Sequence, residues 1–201
     1  MALEKWLSSL DLDKNVINEL VLLTNLRMQQ NVCSFRNKFF KMEDGLAMGN
    51  PLSPFLANLY MGQFEMHITK SFPHMFKSWF RFVDDIFAIV DKNLIDDSLK
   101  LLNLQDKSIK FTLETENSGS IPFLDLRIMR KDNKLEFGIY RKPTHVDNYI
   151  KNLSYNPRQH KHAILNSLTY RLVNIPLSKM EYEKELTHII QVAYDNGFNK
   201  N

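Results

Sequence analysis

The sequence predicts an α+β fold. Helix-like apolar spacing occupies both ends of the chain, and short apolar runs bounded by turn residues occupy the middle. The resulting order is helix, hairpin, helix, hairpin, helix, strands, helices, which lacks the regular strand–helix alternation of a doubly wound sheet. A chain of 201 residues fits one domain, or a domain with a small subdomain, and buries roughly 70% of its unfolded surface. With 44% apolar and 24% charged residues, it is neither a disordered tail, a collagen-like fibre nor a coiled-coil rod.

Residues 14–28 place Val16, Ile17, Leu20, Leu23 and Leu26 at three- and four-residue spacing behind Asp13, a good cap, and predict a helix. VCSFRNKFFKM (32–42) is apolar on both sides of Arg36-Asn37 and predicts a hairpin leading to Asp44-Gly45. GLAMGNPLSP (45–54), with two glycines and two prolines, reads as a loop. A helix follows from about Ser53, where proline suits a first turn and Leu56, Leu59, Tyr60 and Phe64 recur on one face. SWFRFVDDIFAIVD (78–91) predicts a second hairpin with Asp84 and Asp85 at its tip, and 94–103 a short amphipathic helix. KFTLET (110–115), FLDLRIM (123–129) and LEFGIYR (135–141) read as strands separated by Asn117-Ser118-Gly119 and Asp132-Asn133. Helical spacing returns at about 158–172 and 178–195.

The single cysteine, Cys33, has no disulfide partner within the chain and suits a reducing compartment. The start, MALEKWLSSL, lacks the apolar core of a secretory leader, and Asp84-Asp85 interrupt the longest apolar run. An intracellular protein, nuclear or cytoplasmic, with no membrane contact is expected. The formal charge of +3 is unevenly placed. Residues 1–119 carry 13 basic and 15 acidic side chains, 120–171 carry 10 and 4, and 172–201 carry 3 and 4. A basic stretch interleaved with Tyr140, Tyr149 and Tyr155 either attracts phosphate backbones or forms a solvated face.

Asp84 and Asp85 are flanked by apolar strand formers, whereas the same dipeptide at Asp96-Asp97 sits in a polar, helix-like setting. Burying unpaired, mutually repelling carboxylates shifts their pKa or demands a cation, and hard oxygen ligands select magnesium, manganese or calcium. An ordinary solvated turn is the alternative.

FVDD resembles the aromatic-x-Asp-Asp motif of reverse transcriptases, and five blocks in order resemble those of Penelope-like retroelements. They are AMGNPLSPFLANLYM (47–61), WFRFVDDIF (79–87), KFTLE (110–114), IPFLDL (121–126) and YRKPTHVDNYI (140–150). The resemblance implies a partial polymerase palm of antiparallel strands and packed helices over 1–141, then a helical thumb-like region over 142–201. It implies two-metal nucleotidyl transfer with Mg2+ or Mn2+ on Asp84 and Asp85, and an RNA/DNA template–primer and deoxynucleoside triphosphates as partners. Gly45, Met48, Gly49, Ser53 and Pro54 would form the template and nucleotide loop, with the glycines allowing close approach of another chain. Phe123 and Leu124 would pack beneath the primer end, and Arg141, Lys142 and His145 would lie towards the duplex.

The upstream aspartate of that family and its fingers motifs have no counterpart before Gly45, so the chain is expected to be inactive alone. The alternative is a non-catalytic nucleic-acid-binding remnant whose C-terminal helices contact a duplex. Gly138-Ile139-Tyr140 with Tyr149-Ile150 imitates half of a GIY-YIG nuclease signature, but Lys151 stands where that signature has glycine.

Overall fold

The computed structural model describes residues 2–42, 45–132 and 134–198, so the turn positions assigned to Asp44 and Asn133 lie outside the described residues. It is a mixed α and β structure with six α-helices and three small antiparallel sheets among the described residues. The chain divides into two compact units, Met1–Phe111 and Thr112–Asn201, and the sequence-based boundary at 141/142 falls inside the second.

The first unit contains α1 (Ala2–Leu7), α2 (Lys14–Gln29), β1 (Val32–Phe35), β2 (Lys38–Lys41), α3 (Ser53–Ser71), β3 (Phe76–Phe82), β4 (Asp85–Val90) and α4 (Ile95–Gln105). Its core gathers Phe64 and Ile68 of α3 and Leu102 of α4, with Phe76, Trp79 and Phe111 packed against them. Glu65 pins β3 onto α3, accepting from Trp79 Nε1 at 3.0 Å and Arg81 Nε at 2.6 Å. Asp13 caps α2 by accepting from the Asn15 backbone N–H, as expected. The apolar stripe of α2 stays in water, however, with Leu20, Leu23 and Leu26 all exposed. Spacing predicts the helix, but it cannot say what, if anything, covers its apolar face.

The second unit is a meander, β5 (Ser120–Phe123), β6 (Leu126–Lys131) and β7 (Lys134–Ile139), followed by α5 (Arg158–Asn174) and α6 (Lys179–Asp195). Leu168 and Leu172 of α5 meet Ile189 and Val192 of α6, with Tyr149, Ile164 and Leu177 around them. Ser178 caps α6 through the Glu181 N–H.

Two predicted strands differ. KFTLET forms none, because its backbone is taken by a side chain: Asn103 accepts from the Phe111 N–H at 2.8 Å and donates to the Phe111 carbonyl at 3.1 Å, while Phe111 stacks on Phe64. FLDLRIM contains the β5–β6 turn at Leu124-Asp125, with Leu124 at φ 55°. No glycine or proline marks that turn. Long-range bonds hold it instead, as the Asp125 carbonyl accepts from the Tyr140 N–H at 2.8 Å and from Arg171 at 3.3 Å.

Candidate nucleic-acid interface

The most ordered polar chemistry lies along one stripe of α6. Glu181, Glu185 and His188 recur at four- and three-residue spacing and so share a face. Arg127 on β6 donates from one terminal nitrogen to both oxygens of Glu181, at 2.8 and 2.9 Å. Arg141, two residues beyond β7, grips Glu185 with both terminal nitrogens at 2.7 and 2.5 Å. Both glutamates are buried, their side chains 7% exposed. The hydrogen bonds to Glu185 raise the Arg141 pKa further, against the opposing pull of burial. Gly138 on β7 makes the first pair possible, since a Cβ there would lie 2.6 Å from Glu181 Oε2.

Lower on the stripe, Asp147 gathers a titratable cluster. His145 Nε2 lies 3.0 Å from Asp147 Oδ1, the Tyr149 hydroxyl donates to the same oxygen at 3.2 Å, and His188 Nε2 lies 3.2 Å from Oδ2. The His188 contact is misaligned for a hydrogen bond, so it contributes charge attraction only when the ring is protonated. Burial pushes the Asp147 carboxyl up, but His145, His188 and Tyr149 together bring it below its ordinary value. Burial and the Asp147 charge raise the Tyr149 phenol.

The other expected site residues are scattered. Only Asp84 joins Val83 in the two-residue turn of the β3–β4 hairpin; Asp85 is the first residue of β4 and pairs with Phe82. Both carboxylates are exposed, so the burial penalty that would demand a cation does not arise. Among the described residues no group of three or more histidine, cysteine, aspartate or glutamate side chains could hold a metal ion. Val83 adopts φ 56°, a strained choice for a β-branched residue.

Gly45 and Gly49 have φ 85° and 87° with open space where a Cβ would stand, so turn geometry rather than close approach calls for glycine. Met48 is fully exposed between them. Ser53 Oγ donates to the Ala47 carbonyl at 2.7 Å, and Pro54 occupies the first turn of α3. Asn50, expected from the sequence to be a small polar replacement of little consequence, organises the loop. It is 5% exposed, donates to Asn31 Oδ1 at 3.1 Å and accepts from the Leu52 N–H at 3.1 Å. An asparagine between glycine and proline was the available signal. Phe123 is half-buried at the end of β5, while Leu124, expected to pack, is 41% exposed at the turn. Arg141 is committed to Glu185, whereas Lys142 and His145 are exposed.

The basic stretch thus splits in two. Arg127, Arg130, Lys131, Arg141 and Arg171 have carboxylate partners, and Lys161 donates to the carbonyls of Asn152 and Ser154. Lys134, Lys142, Lys151 and Arg158 have no ion pair among the described residues and are exposed. Lys161 ties the 152–154 loop to the first turn of α5, where Arg158 and His160 are exposed beside the fully exposed ring of Tyr155. Pro157 is the N-cap residue, with no side-chain hydrogen bond, and the first turn carries no acid. The His160 N–H bonds back to the Pro157 carbonyl at 3.0 Å, and those of Arg158 and Gln159 have no side-chain cap, at an exposed basic surface.

Compared with known families, residues 148–201 match the animal helix-turn-helix domain, a segment that includes α5, the 175–178 turn and α6. No curated protein and no solved structure matches the chain. The Penelope-like reverse transcriptase assignment is overturned, since the helix-turn-helix family is found where the thumb was expected and no reverse transcriptase family is found. Three of the five blocks behind that resemblance contain a positive-φ glycine loop, an exposed hairpin tip and a tight turn at Leu124-Asp125. Gly138, in the stretch that imitates a nuclease signature, makes room for Glu181. No helix among the described residues is long and apolar enough to cross a membrane, and Cys33 is free and exposed.

Proposed function

We propose that the chain binds nucleic acid through its C-terminal helical region, holding the phosphate backbone of a duplex without chemistry of its own. The observation that carries this reading is the acid-free N-terminus of α5, which has no side-chain cap, follows Lys151 in the chain and carries exposed Arg158 and His160 in its first turn. Helix N-termini with free N–H groups bind phosphate, and adjacent cations add a salt-dependent term. Charge bookkeeping supports it. Residues 148–201 carry seven Lys and Arg against four acids, but Glu181 and Glu185 are neutralised by Arg127 and Arg141 from outside the segment. Only Glu183 and Asp195 remain to oppose the seven cations.

In helix-turn-helix proteins the second helix usually reads base edges. Here α6 presents an exposed stripe of Tyr182, Leu186, Ile190 and Tyr194, which lacks the arginine fork that reads guanine. Backbone contacts hold a protein in place on a duplex without specifying sequence, and that is the mode assigned to α5. Binding of the purified chain to a labelled DNA duplex, followed by anisotropy over a salt series, tests the reading. Arg158→Ala should weaken binding equally across unrelated sequences and reduce the log–log salt slope by about 0.9. Binding that ignores salt, or an Arg158→Ala slope equal to the parent's, would remove the α5 terminus from the interface.

A further inference from the structure

A groove of about 600 Å³ opens between α1 and α3, a volume within the range of about 300–1,000 Å³ usual for small-molecule sites. On α3 its lining includes Asn58, Gly62, Met66 and Lys70, which recur at four-residue spacing and so follow one face for roughly 18 Å of helix. On α1 it includes Lys5 and Trp6. Two contacts hold the short α1 in place. Gln63 Nε2 donates to the Ala2 carbonyl at 2.8 Å, and the rings of Trp6 and Phe55 meet edge-on with centroids 5.2 Å apart.

Gly62 is not required by the fold. Alanine is the better residue inside a helix. The φ of Gly62 is not positive, and a Cβ there would meet nothing within 4 Å. Gly138, by contrast, is needed to make room for Glu181. What glycine provides at 62 is bare helix backbone within the groove, where a flat ring can lie close.

The rest of the lining selects the ligand's charge. Lys5 and Lys70 are exposed, have no ion pair among the described residues, and share the groove with His67. No acid lines it. Glu65, the one acid of α3, is engaged by Trp79 and Arg81 of β3, and Glu4 on α1 stands outside the lining. The remaining surface is largely apolar, with Trp6, Leu59 and a 54%-exposed Met66. A bare anion has no use for the indole and the thioether. A purely apolar ligand has none for two unpaired ammonium groups.

We infer that the α1–α3 groove is a binding site for a small planar aromatic anion. The ring lies on the backbone at Gly62, within the apolar surface of Trp6, Leu59 and Met66. Lys5 and Lys70, on opposite walls, attract its phosphate or carboxylate. The groove belongs to the first unit and shares no residue with the C-terminal surface, so the two binding modes are measured separately.

The full chain is titrated by calorimetry with naphthyl phosphate, naphthoate, naphthalenemethanol and inorganic phosphate. At least one aromatic anion binds about tenfold more tightly than the neutral alcohol, as expected for two exposed charge contacts, and inorganic phosphate does not displace it. The tighter of the two anions identifies the acid group. Lys5→Ala combined with Lys70→Ala brings the anion down to the alcohol's affinity. Gly62→Ala raises the melting temperature, yet weakens anion binding about 5-fold or more because its methyl occupies the ring's place. These opposite signs separate the groove from any effect on folding. The site is overturned if neither aromatic anion binds, if the alcohol binds as tightly, or if inorganic phosphate displaces the anion. Parent-like affinity in Gly62→Ala or in the double lysine variant overturns it equally.

Discussion

Glu181 and Glu185 on α6 lie one helical turn apart, and Asp84 and Asp85 on the β3–β4 hairpin are adjacent, so each pair sets two carboxylates close together in sequence. Their surroundings are opposite. The glutamates are buried and each meets an arginine, whereas the aspartates stand in water at a hairpin end. Carboxylates in water keep their hydration and ask little of the protein. Carboxylates out of water need a cation, and here the protein supplies Arg127 and Arg141. Apolar neighbours in sequence do not establish burial, because a strand's flanking residues can face a core while its tip projects beyond it.

The largest expected difference between the two pairs is in stability. Glu185→Ala strands the Arg141 guanidinium, whose side chain is only 22% exposed, and should lower unfolding free energy by about 3 kcal/mol in a urea melt. A loss below about 1 kcal/mol would place this pair with ordinary surface salt bridges. Gly138→Ala comes next, at about 1–3 kcal/mol, because the added methyl meets Glu181 Oε2 at 2.6 Å and Arg127 Nη2 at 3.3 Å. The penalty should shrink in a Glu181→Ala background; full additivity would mean that the crowding arises elsewhere. The smallest effect belongs to Asp84→Asn, which should leave the melting temperature in chelator where it was, as should Asp97→Asn. A manganese-dependent rise in melting temperature, abolished by Asp84→Asn and kept by Asp97→Asn, would turn the solvated tip into a cation site and break the contrast.

Most elements were legible because their signals are local. Asp13 and Ser178 cap helices by reaching two or three residues along the chain, and Arg36-Asn37 closes its hairpin within four residues. The turn at Leu124-Asp125 was not legible, because Tyr140 and Arg171 hold it from far along the sequence. The 110–115 segment reads as a strand by composition, yet Asn103 satisfies the Phe111 backbone in place of a neighbouring strand. The candidate interface was partly legible. The basic stretch was visible in the sequence, but its division into paired and unpaired cations was not, because Arg127 and Arg141 meet the glutamate stripe of α6 while Arg130, Lys131 and Arg171 meet Glu116, Glu136 and Asp125. The motif order that resembled a polymerase combined loop, turn and hairpin signatures, which this structure explains by glycine geometry at 45–49, by a two-residue turn at 83–84 and by long-range bonds at 124–125.

Asn196, just past the end of α6, is 3% exposed and binds in several directions at once. Its side chain accepts from the Tyr149 N–H at 3.0 Å and donates to the Asp147 and Val192 carbonyls at 3.1 and 2.8 Å. Its own carbonyl accepts from the Asn152 N–H at 2.9 Å. The segment from 147 to 152 has no helix or strand of its own, so these bonds supply much of its order. In hydrogen exchange, the amides of Tyr149 and Asn152 therefore open together with the last turn of α6, as one cooperative unit some fifty residues apart in sequence. Fraying of that turn releases the approach to α5 as well, so the order of the loop before α5 is set from the far end of the unit.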